Sequence, residues 1–245
     1  MPEVTAEADL TALAGLTIGG VTPLSTTDWP GRLAAVVFLQ GCPWRCGYCH
    51  NTGLQPRCAA ANAPRWPDAL AMLKRRVGLL DGVVFSGGEP TLQRGLGEAI
   101  AEVRAIGLQT GLHTAGIYPA QLDALLPTLD WVGFDLKTDL GDAAAYDALT
   151  GARHSAPDVR RSLEALLASG VDFEVRTTYH PRLISDDALL GMVQMLKDLG
   201  ITQWVLQRWQ ANPDMAQQAL APGWHWPPPP VLNRLRSQVP ATVLR

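Results

Sequence analysis

Short apolar segments alternate with amphipathic segments along most of this 245-residue chain, and this alternation constrains the fold more than any other feature. Apolar runs of this length that are bounded by polar or glycine-rich turns predict buried strands. A regular alternation of strands and helices is typical of α/β proteins with a parallel sheet. Six strands are predicted, at 34–39, 83–86, 109–113, 131–136, 173–178 and 204–208.

The segments between the strands have the periodicity of helices that bury one face. Apolar residues recur three or four positions apart before the second and the fifth strand, as expected for helices packed on a sheet. Three helices are followed by a glycine just before the next strand, and glycine readily takes the left-handed conformation that ends a helix. The two apolar stripes are Leu70, Leu73, Val77 and Leu80, and Val159, Leu163, Leu166 and Leu167; the glycines are Gly107, Gly170 and Gly200.

The strands are apolar almost throughout, which predicts a parallel sheet covered by helices and joined by right-handed crossovers. Six such units predict an α/β fold, a partial (β/α)6 barrel of the TIM type with parallel strands. An open, doubly wound sheet is the alternative that the pattern leaves open. In both folds ligands bind beyond the carboxyl ends of the strands, so we expect the functional site there.

Polar residues follow every predicted strand. Charged surface loops are usually only solvated, but chance would scatter such groups over both ends of the sheet, whereas the turns at the opposite end are apolar and capped by glycine. We therefore expect these polar groups to share one rim. They are Cys42, Cys46 and Cys49; Ser86-Gly87-Gly88-Glu89-Pro90; His113-Thr114-Ala115-Gly116; Asp135-Leu136-Lys137; Arg176-Thr177-Thr178-Tyr179-His180-Pro181; and Gln207-Arg208-Trp209-Gln210.

The three cysteines Cys42, Cys46 and Cys49 lie on one loop directly after the first predicted strand. Thiolates are soft ligands that bind iron–sulfur clusters, zinc or Cu(I). A four-iron cluster held by three cysteines leaves one iron free for another ligand. Cys58 or His50 closing a zinc site is the alternative, although zinc ligands usually come as two short pairs. We interpret Cys58 as a bystander.

Composition limits the function classes. The chain is 47% hydrophobic and 18% charged, as in ordinary globular proteins, and its formal charge of -3 gives no basic excess for nucleic acid. No apolar run approaches the 18 or so residues that a membrane span needs. Four cysteines without a signal-like amino terminus indicate a reducing compartment rather than a disulfide framework, so we expect a cytoplasmic protein.

Three regions are predicted: an N-terminal extension at 1–19, a core domain at 20–215, and a proline-rich segment with a C-terminal helix at 216–245. Residues 1–15 are expected to be loose. The prolines at 227–230 are expected to be extended, because proline lacks the amide that a helix needs, and the last helix is expected at 231–239. A short insertion is expected at 138–157.

Over 20–210 the chain resembles radical S-adenosylmethionine (SAM) enzymes, and more narrowly the activating proteins of anaerobic ribonucleoside-triphosphate reductase. The wider resemblance rests on the C-x3-C-x-aromatic-C loop, in which Tyr48 is the aromatic residue, together with Ser86-Gly87-Gly88-Glu89-Pro90. The narrower resemblance rests on Thr27-Asp28-Trp29-Pro30-Gly31, Cys49-His50-Asn51, Asp135-Leu136-Lys137 and Glu174-Val175-Arg176-Thr177-Thr178.

The resemblance implies two cofactors, a four-iron, four-sulfur (4Fe-4S) cluster on Cys42, Cys46 and Cys49 and SAM, whose amino and carboxylate groups would chelate the open iron. Alternatives stay open for several residues: a helix-terminal charge for Glu89, a mutual ion pair for Asp135 with Lys137, and a structural role for His180. The implied SAM contacts are Gly87 and Gly88 by close backbone approach, Glu89 with the ammonium, Lys137 with the carboxylate, Asp135 and His180 with the ribose, Tyr48 and His50 with adenine, and Thr114 and Arg176 without an assigned atom.

One position departs from the resemblance. The related activating proteins tend to have Asp-Thr-Asn-Gly after the third strand, whereas this chain has His113-Thr114-Ala115-Gly116. An imidazole thus replaces a carboxylate that could bind the SAM ammonium or a cation. We include His113 among the SAM-site residues, but a cation site there is in doubt.

The resemblance also implies an activity and partners. A flavodoxin or ferredoxin would deliver one electron for reductive cleavage of SAM to methionine and a 5'-deoxyadenosyl radical, which would take a hydrogen atom from a glycine of the reductase, a glycyl-radical enzyme. No general base is needed for this step. The alternatives are a radical SAM enzyme acting on a small molecule such as a deazapurine precursor, and an electron-transfer or zinc-binding structural module.

Overall fold

The computed structural model describes residues 15–210 and 223–245. The segment 1–15, expected to be loose, therefore lies outside the described residues except for its last position. The strands within the described residues are β1 (Ile18–Ser25), β2 (Ala34–Leu39), β3 (Gly82–Gly87), β4 (Gln109–Thr114), β5 (Trp131–Asp135), β6 (Asp172–Tyr179), β7 (Gln203–Arg208) and β8 (Ala241–Leu244). The α-helices are α1 (Trp66–Lys74), α2 (Leu96–Ala105), α3 (Pro119–Leu125), α4 (Ala143–Thr150), α5 (Ser155–Ser169), α6 (Asp186–Asp198) and α7 (Pro229–Gln238).

All eight strands form one sheet in which their spatial order equals their order along the chain. Strands β2 to β8 are parallel to their neighbours, and β1 is antiparallel to β2. A doubly wound sheet would reverse its strand order at a switch point, so that alternative is wrong. The sheet is open, as expected for a partial barrel, and the predicted fold class is confirmed.

The six predicted strands are confirmed to within one residue at each end. Two further strands were not predicted. Strand β1 contains Gly19, Gly20 and Pro23, which weaken its signal, and it lies at a sheet edge, where proline is tolerated because one side needs no amide donor. Strand β8 has only four residues, so its sequence pattern is too short to recognise.

One of the two predicted helix stripes is confirmed and the other is partly wrong. In α5, Val159, Leu163 and Leu166 are fully buried. Helix α1, however, ends at Lys74, so Val77 and Leu80 lie in the turn that follows it, and Val77 is half exposed. The turn contains a glycine with a φ of +88° at position 78, a conformation that cannot continue a helix.

The three predicted helix-ending glycines are confirmed. Gly107, Gly170 and Gly200 have φ angles of +86°, +75° and +74°. Each lets the chain turn from a helix into the next parallel strand.

The C-terminal segment departs from the prediction at its prolines. Pro229 and Pro230 form the first turn of α7 instead of continuing the extended segment. The amides of a first helical turn have no partner within the helix, so proline costs nothing there. Strand β8 then joins the edge of the sheet beside β7. The boundary at 215 and 216 falls outside the described residues and stays a prediction.

The two faces of the sheet carry different cores. The helices cover one face, where Val37, Phe85 and Val132 belong to the main hydrophobic core. The opposite face carries a small cluster in which Trp29 stacks on Trp131, with ring centroids 5.6 Å apart. The turn before β2 thus fills the face that the helices leave uncovered. None of the helices in the described residues has the length and apolar character needed to span a bilayer.

Candidate active site

The polar residues predicted to share one rim do so, because β2 to β7 run parallel and their carboxyl ends point the same way. Asp135 ends β5 and lies beside Arg176 of β6 in the sheet register. His113 and Thr114 end β4, and Lys137 follows β5. The roles of the individual residues stay predictions, while their positions are described below.

The cysteine loop begins directly beyond β2 and is anchored at both ends. The amides of Gly41 and Cys42 donate to the carbonyls of Leu54 and Gln55, at 2.7 and 3.1 Å. The amide of Arg45 donates to the carbonyl at the end of α4, at 2.8 Å. Within the loop the amide of residue 49 donates to the carbonyl of residue 46 at 3.1 Å, which forms a tight turn.

All four cysteines are free, and the three in the loop are partly buried whereas Cys58 is exposed. Burial raises the pKa of Cys42 to about 12 and also raises the pKa of Cys46, while the nearby Lys137 opposes both shifts. These thiols therefore hold their protons at neutral pH until a metal displaces them. The position of Lys137 also shows that the cysteine loop and the end of β5 face each other.

The donor set fits the predicted cluster. Among the described residues, no three His, Cys, Asp or Glu side chains converge as ligands of a single metal ion would. Cluster thiolates bind separate irons and need no such convergence. Three soft donors on one loop, Cys42, Cys46 and Cys49, would hold three irons and leave the fourth open.

Gly87 and Gly88 allow the end of β3 to pack closely against the cysteine loop. Gly87 has a φ of +128°, and a methyl group at either position would overlap backbone atoms, of Leu39 for Gly87 and of Gly41 for Gly88. The amide of Gly88 donates to the carbonyl of Leu39, and the amide of Glu89 donates to that of Gly41, both at 2.9 Å. This close backbone packing requires glycine at both positions, independently of the predicted approach to SAM.

Glu89 is buried and bridges the ends of β3 and β4. One carboxylate oxygen, Oε1, accepts from the amide and hydroxyl of Thr91 at 3.1 and 2.6 Å and from the Thr114 hydroxyl at 2.7 Å. The other, Oε2, accepts from the Ala115 amide at 3.0 Å. Burial raises the pKa of Glu89, and these hydrogen bonds oppose the rise. Glu89 directly precedes the short 3-10 helix Pro90–Leu92 and caps it through the Thr91 amide, so the helix-terminal role is confirmed. Oε2 accepts only one hydrogen bond among the described residues, which leaves it capacity for the predicted ammonium.

Glu89→Gln is expected to destabilise the protein. Each carboxylate oxygen faces a backbone N–H, of Thr91 or of Ala115, so the amide nitrogen of glutamine must oppose one of these donors. A buried donor left unsatisfied costs about 2 kcal/mol. For a domain of this size that lowers Tm by roughly 4–8 °C in thermal unfolding followed by circular dichroism.

Glu98→Gln is the matched control, because Glu98 lies exposed on α2. Its effect should stay within about 0.5 kcal/mol. Equal Tm values for the Glu89 and Glu98 variants would contradict the bridging role of Glu89.

Asp135 lies between two cations. Its carboxylate is 3.5 Å from Nζ of Lys137 and 2.9 Å from Nη2 of Arg176. Burial alone would raise the pKa of Asp135, but the two cations outweigh it and hold the pKa at about 2. Burial likewise opposes the charge of Lys137, whose pKa is nonetheless raised well above its usual value, chiefly by Asp135. The two do not pair only with each other, and Asp135 stays 32% exposed to a ligand.

His113 is buried beneath this ion pair. Its Nε2 lies 2.9 Å from Nη1 of Arg176 and 2.8 Å from the carbonyl oxygen of Asp28, and its Nδ1 lies 3.2 Å from the hydroxyl of Ser86. Burial and the Arg176 charge lower the pKa of His113 to about 3. The ring is therefore neutral at physiological pH.

Tyr48 and His180 belong to an aromatic cluster beside the cysteine loop. Tyr48 packs with Leu149 and Trp209, and its hydroxyl is buried without a hydrogen-bond partner among the described residues. The imidazole of His180 meets the Trp209 ring edge-on at 5.1 Å and accepts the amide of Arg182 at Nδ1. The Tyr48 ring face is thus covered, so its predicted adenine contact would use backbone. His50 is exposed on the loop.

One residue of the site was missed by sequence reasoning. The hydroxyl of Tyr146 accepts from the amide of Lys137 at 3.4 Å, and its ring meets Trp44 of the cysteine loop edge-on. Tyr146 lies on α4, in the segment interpreted as an insertion, and no motif marks it. Trp209, which was predicted at the rim without a role, packs against Tyr48 directly after β7.

The family model described as the radical SAM superfamily matches residues 36–201, which is more than half of the chain. The chain belongs to the radical SAM superfamily. Enzymes of this superfamily use a 4Fe-4S cluster and SAM, so the predicted cofactors are confirmed. The predicted narrower family is not decided by this match.

Curated relatives of several kinds are similar to this radical SAM chain. A putative glycyl-radical enzyme activating enzyme, MJ1227 of Methanocaldococcus jannaschii, is 26% identical over 74% of this chain and 75% of its own. The pyruvate formate-lyase-activating enzyme of Clostridium pasteurianum is 29% identical over 74% and 76%. PqqA peptide cyclase of Xanthomonas oryzae is 27% identical over 89% of this chain and 55% of its own.

Among solved structures, Streptococcus suis SuiB bound to the precursor peptide SuiA matches with a TM-score of 0.61 at 16% identity, over 84% of this chain and 47% of that one. At this identity the match shows the fold alone. The chain spans about half the length of SuiB and of the peptide cyclase.

Proposed function

We propose that this radical SAM enzyme activates a glycyl-radical enzyme by taking a hydrogen atom from one of its glycines, and that the partner is an anaerobic ribonucleoside-triphosphate reductase. The observation that carries the proposal is the similarity to two activating enzymes, at 26% and 29% identity, which extends over about three quarters of their length. The match to the peptide cyclase covers only about half of that protein. The motifs that resemble reductase activating proteins favour that partner.

The rim supplies the residues that such an activity needs. Cys42, Cys46 and Cys49 would hold the cluster, and Lys137 faces that loop with its charge intact. When bound, the cluster and SAM supply the hydrogen-abstracting chemistry, with an electron from a flavodoxin or ferredoxin. The protein's part is to hold the ligand between the cysteine loop and the ends of β4 to β6 and to exclude water. We assign Asp135 and His180 to the ribose and Glu89 to the ammonium.

A glycyl target must reach the rim as part of another protein. The segment 138–157 contains α4 and the first three residues of α5, and the end of α4 anchors the cysteine loop. We infer that the rim stays open to an extended backbone segment. A small-molecule enzyme would instead need the same rim to be closed around its substrate.

Electron paramagnetic resonance tests the proposal. Anaerobically reconstituted protein, reduced with dithionite, is mixed with SAM and the anaerobic reductase, and a glycyl doublet is expected together with 5'-deoxyadenosine. A reductase variant with its radical glycine replaced by alanine is the control and should give no doublet.

Two other outcomes would redirect the assignment. Formation of 5'-deoxyadenosine without any doublet would favour the small-molecule alternative, such as a deazapurine precursor. Colourless, zinc-loaded protein without SAM cleavage would favour the structural or electron-transfer module.

A further inference from the structure

Arg176 is a buried cation whose side chain is held from several sides. Its Nε donates to Oδ1 of Asp135 at 3.0 Å, and its Nη2 lies 2.9 Å from the same oxygen and 3.4 Å from the carbonyl of Gly133. Its Nη1 lies 2.9 Å from Nε2 of His113. The guanidinium also lies 6.0 Å from the ring centre of Trp131. Only 7% of the side chain is exposed, so its position is set by the protein.

Gly133 makes the space that the guanidinium occupies. A methyl group at this position would lie 2.7 Å from Cζ and 2.8 Å from Nη1 of Arg176, and 2.9 Å from Cδ2 of His113. Contacts this short force a rearrangement, and both neighbours are already fixed by other bonds. Gly133 thus admits the arginine and the imidazole together.

The acceptors around Arg176 are of the kind that also bind metal cations. A carboxylate oxygen of Asp135 and the carbonyl oxygen of Gly133 converge on one point, and hard cations prefer such oxygen ligands. A carboxylate at position 113, as the resemblance leads one to expect, would add a third. The chain instead places a neutral imidazole there. Its Nε2 lies 2.9 Å from Nη1 of Arg176 and 2.8 Å from the carbonyl oxygen of Asp28, so it accepts from the guanidinium only in the tautomer whose proton is on Nδ1, which faces the hydroxyl of Ser86.

The charges at this point leave little attraction for a further cation. Asp135 carries one negative charge, and Arg176 and Lys137 each carry a positive one within 3.5 Å of it. His113 adds no negative charge. An added metal ion would face a net positive group and would have to displace Arg176 from its bonds.

We propose that Arg176 is the resident cation of the SAM site, admitted by His113 and Gly133, so that SAM binding to this chain requires no dissociable alkali or alkaline-earth ion. Arg176 and His113 are positioning residues in this view, since they act on SAM through Asp135. The inference rests on the SAM site of the proposed function but not on its glycyl substrate, so failure of glycyl-radical formation would leave it untouched.

The first test needs no variant. SAM affinity and 5'-deoxyadenosine formation of the reconstituted wild-type protein are measured in potassium, sodium or magnesium chloride and in tetramethylammonium chloride at equal ionic strength. An ion that does not bind cannot shift the equilibrium, so the values should agree within about twofold. A fall of tenfold or so in tetramethylammonium would overturn the proposal.

The second test creates an ion site. In the double variant His113→Asp/Arg176→Gln the guanidinium is removed and a carboxylate faces Asp135. Potassium or magnesium should now raise SAM affinity, and should also raise the Tm of the SAM-free holoprotein by roughly 5–10 °C at saturation, as a ligand specific to the folded state does. If Arg176 had a purely structural role, the double variant would have a lower Tm that does not depend on the ion.

Arg104→Gln is the matched control for this substitution. Arg104 pairs with Asp130 at 2.9 Å, but Asp130 precedes β5 and lies at the opposite end of that strand from Asp135. The Tm of the Arg104→Gln variant should not depend on which ion is present. A folded double variant that binds SAM equally in all salts would overturn the proposal, and if the double variant does not fold, the wild-type measurement decides alone.

Discussion

Cys46→Ser is expected to abolish the bound iron of anaerobically reconstituted protein, and with it the cleavage of SAM. Cys46 lies in the middle of the cysteine loop, partly buried and near Lys137, whereas Cys58 is exposed beyond the loop. With only three candidate protein ligands, loss of one thiolate leaves a second iron without a protein donor. Iron and sulfide analysis measures the result.

Cys58→Ser is the matched control and should keep the full iron content. Equal loss of iron in the two variants would mean that Cys58 is a ligand and that the cluster is closed by four cysteines. Mössbauer spectra of wild-type protein with and without SAM distinguish these cases independently, because only an iron without a protein ligand should change its signal when SAM binds.

Gly88→Ala is expected to have the second largest effect. A methyl group at Gly88 would overlap the carbonyl oxygen of Gly41 and lie 2.8 Å from the carbonyl oxygen of Leu54. Both are backbone atoms, so no side chain can rotate away. We expect destabilisation by about 3 kcal/mol or more, since such overpacking must move the chain. Because Gly41 precedes Cys42, iron binding should fall as well.

Gly53→Ala, shortly after the cysteine loop, provides the comparison. A methyl group at Gly53 meets no atom within 4 Å, so the variant should match wild type in both Tm and iron content. If Gly88→Ala also matched wild type in thermal unfolding and iron analysis, the close packing of β3 against the cysteine loop would be contradicted.

The sheet could be predicted because its information is local. The strands from β2 to β7 are apolar runs, and the glycines at 107, 170 and 200 mark the turns into three of them. Each of these strands can therefore be recognised from a few consecutive residues. Strand β1 was missed because its glycines and proline weaken the local pattern and its pairing with β2 decides it. The apolar stripe of α1 was extended too far because the helix ends at Lys74 and the chain turns at the left-handed Gly78.

The rim could be predicted in outline for the same reason. Parallel strands bring their carboxyl ends together whatever their side chains, so the cysteine loop and the residues after β3 to β6 had to meet. Their mutual contacts could not be predicted. The bonds of Glu89 to Thr114 and Ala115 span the crossover between β3 and β4, and Tyr146 reaches Lys137 from a helix without a motif.

The amino-acid sequence by itself determined the positions of six strands, the three clustered thiols and the resemblance to one cofactor class, because these depend on residue type and short spacing. The tertiary structure alone decided what His113 does. The imidazole of His113, the guanidinium of Arg176 and the space left by Gly133 come from three strands, and burial beside the guanidinium keeps the His113 ring neutral. Electrostatic energies in a buried site depend on distances through space, which the linear order of residues does not contain.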